Sequence, residues 1–203
     1  MQNSLWIKVM GVLLVTAGVS SARDKHVEVT PFTGYQWGGE CEDEFTGVGL
    51  KLAEASNYGL IVDVDIAPPT QQLELFWSHQ ATELNVKGGG SLGDMDVDYF
   101  HIGGTQQWPR GKVIPFVAGG LGVTYFDPSL AGAGSATRFS MGLGGGVKVM
   151  ATERIGLRLE ARGLATLGDS EGFVFSGHDG TVVVFTRDVF WQFMVSAGVI
   201  VRF

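Results

Sequence analysis

The sequence predicts an all-β protein: an eight-stranded antiparallel up-and-down transmembrane β-barrel over residues 23–203, preceded by a signal peptide at 1–22. Three observations predict it. Apolar and polar residues alternate with period two in segment after segment, which places them on opposite faces of extended strands. There are eight such segments, and the connections between them alternate short and long. The composition suits a sheet that faces lipid, because 45% of the 203 residues are apolar, only 17% are charged, and 31 are glycine. Aromatic residues at 11% argue against a disordered chain, and a net charge of −7 lacks the basic footprint of a general nucleic-acid binder. No run approaches 18 apolar residues, so the sequence offers no spanning helix.

The elements follow in order. Lys8 supplies a positive flank, Val9 to Val19 an apolar run, and Ser20-Ser21-Ala22 the small residues before a cut after Ala22. The run is too short for an anchor. Export implies an oxidising compartment, yet the one cysteine, Cys41, has no partner for an internal bridge and reads as an incidental loop residue. The first strand is 27–37, with Glu28 on its polar face. In 57–67, Leu60, Val62, Val64 and Ile66 oppose Asp63 and Asp65. Pro68-Pro69-Thr70 turns the chain into 71–80, which carries Glu74. In 95–107, Phe100 and Ile102 point outward and His101 inward, because the opposite register would put a histidine in lipid.

Trp108-Pro109-Arg110-Gly111 turns into 112–126. In 137–150, Phe139, Met141, Leu143, Val147 and Val149 oppose Arg138, Ser140, Gly142, Gly144, Gly146 and Lys148. After a turn at 151–153, strand 154–166 sets Ile155, Leu157, Leu159 and Ala161 against Arg158, Glu160 and Arg162. The last strand, 190–203, sets Trp191, Phe193, Val195, Ala197, Val199, Val201 and Phe203 against Gln192, Ser196, Gly198 and Arg202. The long loops are then 38–56, 81–94, 127–136 and 167–189. Two stretches compete with this count. Phe45 to Ala55 is either a strand or a hairpin extension above the membrane, and 173–176 with 181–186 forms a short hairpin in the last loop; a ten-stranded barrel is the alternative.

The polar faces hold Glu28, Asp63, Asp65, Glu74 and Glu160 with Arg138, Lys148, Arg158, Arg162 and Arg202, five acids against five bases. Enclosed charges must neutralise one another, so the match favours an internal ion-pair network with the apolar face turned to lipid. A soluble barrel or sandwich would reverse the faces. Inward glycines such as Gly142, Gly144 and Gly146 leave room for long arginines, and eight strands leave a lumen that side chains fill. Tyr35, Trp37, Tyr58, Trp77, Tyr125 and Trp191 fall towards the long-loop ends, and Trp108 and Phe203 at the short-turn end, as interface aromatics should.

With its signal peptide, the strand Pro115-Phe116-Val117-Ala118-Gly119-Gly120-Leu121-Gly122 and the ending Ala197-Gly198-Val199-Ile200-Val201-Arg202-Phe203, the chain resembles the OmpA-like outer-membrane β-barrel family. The resemblance implies the outer membrane of a Gram-negative cell. It also implies that the barrel-insertion machinery reads Phe203 as an assembly signal. It covers the barrel alone and brings no peptidoglycan-binding domain with it.

Catalytic chemistry is sparse. None of His26, His79, His101 and His178 has a serine two positions later, as the His-x-Ser pair of a lipid A deacylase barrel would require. Ser176-Gly177-His178-Asp179 reads as turn residues. The acidic run at Glu40, Glu42, Asp43 and Glu44 reads as a solvated loop, which divalent cations could bridge to lipopolysaccharide, and Gly88-Gly89-Gly90 lacks the Lys-Ser/Thr of a phosphate loop. No catalytic residue, metal or cofactor is expected. The expectation is a monomeric, non-enzymatic integral outer-membrane protein, in contact with outer-membrane lipids and lipopolysaccharide, that serves envelope integrity and surface interaction through its loops. A narrow porin-like channel or small-molecule transporter is the alternative, followed by a lipid-modifying enzyme and a soluble barrel binding an apolar ligand.

Overall fold

The computed structural model describes residues 26–42, 49–86, 90–129, 134–168, 173–176, 182–185 and 189–203. The proposed signal peptide, Asp43 and Glu44 of the acidic run, Gly88 and Gly89, and the Gly177-His178-Asp179 turn lie outside them. The strands are β1 (Val27–Gly38), β2 (Glu40–Glu42), β3 (Gly49–Leu52), β4 (Ala55–Ala67), β5 (Gln71–Val86), β6 (Ser91–Gln107), β7 (Val113–Pro128), β8 (Ala136–Met150), β9 (Ile155–Leu167), β10 (Phe173–Ser176), β11 (Val182–Phe185) and β12 (Val189–Arg202).

Eight of these form a closed antiparallel ring in the order β1, β4, β5, β6, β7, β8, β9, β12. The ring closes where β1 pairs with β12, from Glu28 opposite Arg202 to Gly38 opposite Gln192. Closure leaves the ring without an unpaired edge, which lipid demands because it cannot hydrogen-bond to backbone. At one end the turns are tight, held by Thr70 N–H to Ala67 O at 2.9 Å and Arg110 N–H to Val113 O at 2.9 Å.

The long loops are shorter than the sequence suggests. β5 and β6 continue to Val86 and from Ser91, so most of 81–94 is strand. Residues 38–56 hold β2 and β3, which extend the β1–β4 hairpin, with β3 paired to β5 through Leu52 opposite Leu84. The chain kinks between β1 and β2 at Gly38 and Gly39, whose φ angles of 95° and 86° suit glycine. A Cβ on Gly39 would also stand 2.6 Å from the Phe190 ring. β10 and β11 form a separate two-stranded sheet with Phe173 opposite Phe185, so they do not enlarge the ring to ten.

The reason the extension escaped the alternation argument is a reversal of polarity along the same strands. In the body of the barrel the outward residues are apolar: Leu75 and Phe100 are half exposed, as are Leu121, Leu157 and Val199, and Leu143 is more exposed still. Beyond Trp77 on β5 and Tyr99 on β6 the pattern inverts. Glu83, Asp94 and Asp127 now face out, while Leu84, Met95, Val97, Phe126 and Phe190 are buried inside, joined by Leu52 of β3. The lower part is built for lipid outside, and the upper part for water outside over an ordinary apolar core.

Val97→Thr tests this boundary. It puts a hydroxyl into the upper core and is expected to cost about 1–2 kcal/mol, whereas Ala81→Thr on the outer face should stay within about 0.5 kcal/mol. Urea unfolding of the two variants in lipid checks it. Equal costs would mean that the upper barrel has no dry core.

Candidate functional site: the charged layer of the lumen

The luminal face of the lower barrel gathers charge from six strands of the ring. Glu28 comes from β1, Asp63 and Asp65 from β4, Glu74 from β5, Lys148 from β8, Arg158, Glu160 and Arg162 from β9, and Arg202 from β12. Period two puts Arg158, Glu160 and Arg162 on one face of β9, so the acid stands between two bases before any partner strand contributes. Arg158 reaches Asp63 at 2.8 Å and Glu74 at 2.7 Å across the lumen, and its Nε donates to Glu160 at 2.8 Å. Arg162 donates to Glu160 and Glu74, each at 2.7 Å. Lys148 donates to Glu28 at 2.6 Å, Asp63 at 3.2 Å and the Gln72 carbonyl at 2.8 Å. Arg202 closes the layer on Glu28 at 3.0 Å.

Lys148, Arg158 and Arg162 are no more than 2% exposed, a depth at which an unpaired charge would be prohibitive. Their pairing is therefore a condition of folding. Aromatic faces complete it: the Arg158 guanidinium lies 4.4 Å from the Phe116 ring centre and that of Arg162 lies 4.2 Å from Phe76. Gly144 gives the layer its room, because a Cβ there would stand 2.9 Å from the Glu160 carboxylate and 3.1 Å from Arg162 Cβ.

Two residues of the expected network sit differently. Asp65 lies at its edge, bound to Gln72 at 2.9 Å and facing His26 at 3.3 Å. Arg138 is outside it: it stands ten residues from Lys148 along β8, roughly 30 Å away, and its guanidinium donates to the Thr137 carbonyl at 3.2 Å. Face parity alone assigned Arg138 to the network, and parity carries no information on height. Among the described residues the layer thus has four bases, not five.

Above the charges the lumen is polar but uncharged, and sequence reasoning did not single this part out. Gln192 accepts from Gln36 at 2.9 Å and from the Tyr99 hydroxyl at 2.6 Å, and donates to Gln80 at 3.1 Å; Asn57 donates to Gln36 at 3.0 Å. The available signal was the run of glutamines and asparagine at inward positions. His101 points inward as expected, and its Nε2 meets Ser140 at 2.8 Å. That pair joins β6 to β8, so a search along single strands could not find it. Both side chains are sealed from solvent, at 5% and 0% exposure. At the short-turn end a cavity of about 500 Å³, lined by His26, Asp65, Lys112 and Arg202 among others, opens below the layer. Among the described residues, no group of three His, Cys, Asp or Glu is placed to hold a metal ion.

The aromatic residues mark two levels of the outer wall. Tyr58 packs edge-on against Trp77 and lies 5.1 Å from the His79 ring, while the Trp77 indole donates to Asp98 at 3.1 Å. Trp191 stacks on Phe193, the Tyr35 hydroxyl donates to Glu54 at 3.4 Å, and Trp37 and Tyr125 are half-buried at the long-loop side. Trp108 and Phe203 are exposed at the short-turn side.

No protein-family model matches the sequence, and a search of curated proteins finds no match. The architecture does have counterparts among solved structures. Neisserial surface protein A superposes with a TM-score of 0.59 at 14% identity, over 91% of this chain and all of that one. OprG, an outer membrane protein from Pseudomonas aeruginosa, gives 0.64 at 14% identity, over 88% of this chain and 95% of that one. The fold is that of the small outer-membrane barrels. The N-terminal β-barrel domain of Pseudomonas aeruginosa OprF gives 0.53 at 13% identity, over 88% of this chain and 97% of that one. Such low identities speak to fold and leave the chemistry to be argued from the residues.

Proposed function

We propose that this chain is a sealed, non-enzymatic barrel of the OmpA-like kind, exported by a signal peptide at 1–22 and seated in the outer membrane as a monomer. Its structural role is carried by the lumen, and its surface interactions by the extension above the lipid. The observation that supports this reading best is the charged layer, in which every buried base bridges at least two carboxylates while Phe76 and Phe116 cap the guanidinium faces. An ion crossing the layer would have to break several charge-assisted hydrogen bonds at once. The apolar mouth formed by Leu84, Val97, Phe126 and Phe190 adds a second barrier, one that excludes hydrated ions. Outer-membrane lipids and lipopolysaccharide are the proposed surroundings of the apolar belt, and the insertion machinery the proposed reader of Phe203.

The test is conductance of the purified barrel in a planar lipid bilayer. The sealed reading expects no steady single-channel current under applied voltage. A steady current that Gly144→Leu abolishes, with the barrel still folded, would replace it with the channel reading.

A further inference from the structure

The cavity at the short-turn end, about 500 Å³, is large enough for a small organic ligand. Its wall is fixed before anything enters. Met150 N–H donates to Lys112 O at 2.8 Å, Ala151 N–H to Ile155 O at 2.9 Å and Gln107 N–H to Thr70 O at 2.8 Å, and prolines at 68, 69 and 109 stiffen the turns between. One sector of this wall, from the end of β6 to the end of β8, sets three chemistries side by side. Gln107 lines the cavity at the end of β6 and is only 4% exposed, yet its amide Oε1 has no hydrogen-bond partner. The last torsion of a glutamine is soft, so the amide can present that oxygen to a donor in the cavity. Lys112 stands across the same hairpin turn, exposed at the rim and in no ion pair among the described residues. Ile114 and Met150, on the neighbouring strands β7 and β8, are both buried and supply an apolar floor.

The deeper charges of the lining are already engaged, Arg202 on Glu28, and Asp65 with Gln72 and His26. Glu153, on the turn after β8, is exposed like Lys112. A free cation with a carboxylate on the same rim suits a monoanion and disfavours a phosphate. An acceptor, a cation and an apolar floor match the three groups of a peptide's last residue: its N–H, its carboxylate and its side chain. We propose that this cavity binds the C-terminal residue of a short peptide, or an N-acyl amino acid, whose side chain is apolar. The N–H donates to Gln107 Oε1, the carboxylate meets Lys112, and the side chain rests on Ile114 and Met150. The site does not depend on whether the lumen conducts, so it stands or falls apart from the sealed reading.

The test is NMR titration of the intact, isotope-labelled barrel in lipid nanodiscs, following the backbone amides of Gln107, Lys112 and Met150. N-acetyl-leucine is the probe; N-acetyl-leucinamide lacks its carboxylate, 4-methylpentanoate lacks its N–H, and inorganic phosphate offers charge alone. N-acetyl-leucine is expected to move the three signals saturably, and each of the other probes to bind at least about fivefold more weakly. Lys112→Gln, at an exposed position, should weaken N-acetyl-leucine about three- to fivefold, and Gln107→Leu about fivefold. No saturable shift up to about 10 mM N-acetyl-leucine would overturn the site. Equal binding of 4-methylpentanoate or of the leucinamide, or tighter binding of phosphate, would overturn it as well, and so would a Lys112→Gln barrel that binds unchanged. If Gln107→Leu does not fold, the four probes on the unaltered barrel decide.

Discussion

Arg158→Leu lowers the unfolding free energy of the barrel in urea by about 3–5 kcal/mol, the largest effect expected of a single substitution here. The guanidinium touches Asp63, Glu74 and Glu160. Leucine fills part of the space but offers no donor, so three buried carboxylates share what Lys148 and Arg162 still provide. The cost comes from stranded negative charge more than from the lost bonds. Adding Glu74→Gln to Arg158→Leu should therefore recover part of the loss, because it removes one of the stranded charges. A double variant at least as unstable as the sum of the two singles would show that the network is not coupled in this way.

Leu143→Arg should cost about 2–4 kcal/mol, the range for a cation near the middle of the lipid face. Leu143 suits this probe because it is 73% exposed, flanked by Gly119 and Gly163 on the neighbouring strands. Little packing is lost with the leucine, so the effect reports the surroundings of the side chain. Leu143→Ala is the control and should change stability far less. Urea unfolding into lipid vesicles measures both, and a near-neutral Leu143→Arg would place that face in water.

The lower barrel was legible in the sequence because a single rule governs it. Lipid outside and a filled lumen inside force period-two alternation, and Arg158-Leu159-Glu160-Ala161-Arg162 states that rule in five residues. The inward setting of His101 followed from the same rule. What the sequence concealed has four physical causes. Alternation survives above the lipid but with its sense reversed, so Thr82-Glu83-Leu84 looked like loop when it is strand. Height along a strand is invisible to parity, which is why Arg138 was grouped with Lys148, roughly 30 Å away along the same strand. Aromatic residues on the inward face, Phe76 and Phe116, defied the polar-inside expectation because they serve as ring faces for the guanidiniums. The hydrogen bond between His101 and Ser140 needed the β6–β7–β8 register, which no local pattern reveals.

The orientation of the sheet is open to direct measurement by nitroxide labels in lipid vesicles, attached through Leu157→Cys, Leu143→Cys and Glu83→Cys in a Cys41→Ala background. Labels at 157 and 143 are expected to collide readily with dissolved oxygen and scarcely with a water-soluble nickel chelate, and the label at 83 to do the opposite. Free access of the nickel chelate to positions 157 and 143 would contradict it, since the leucines would then face water and the buried arginines would lie on the wrong side of the wall.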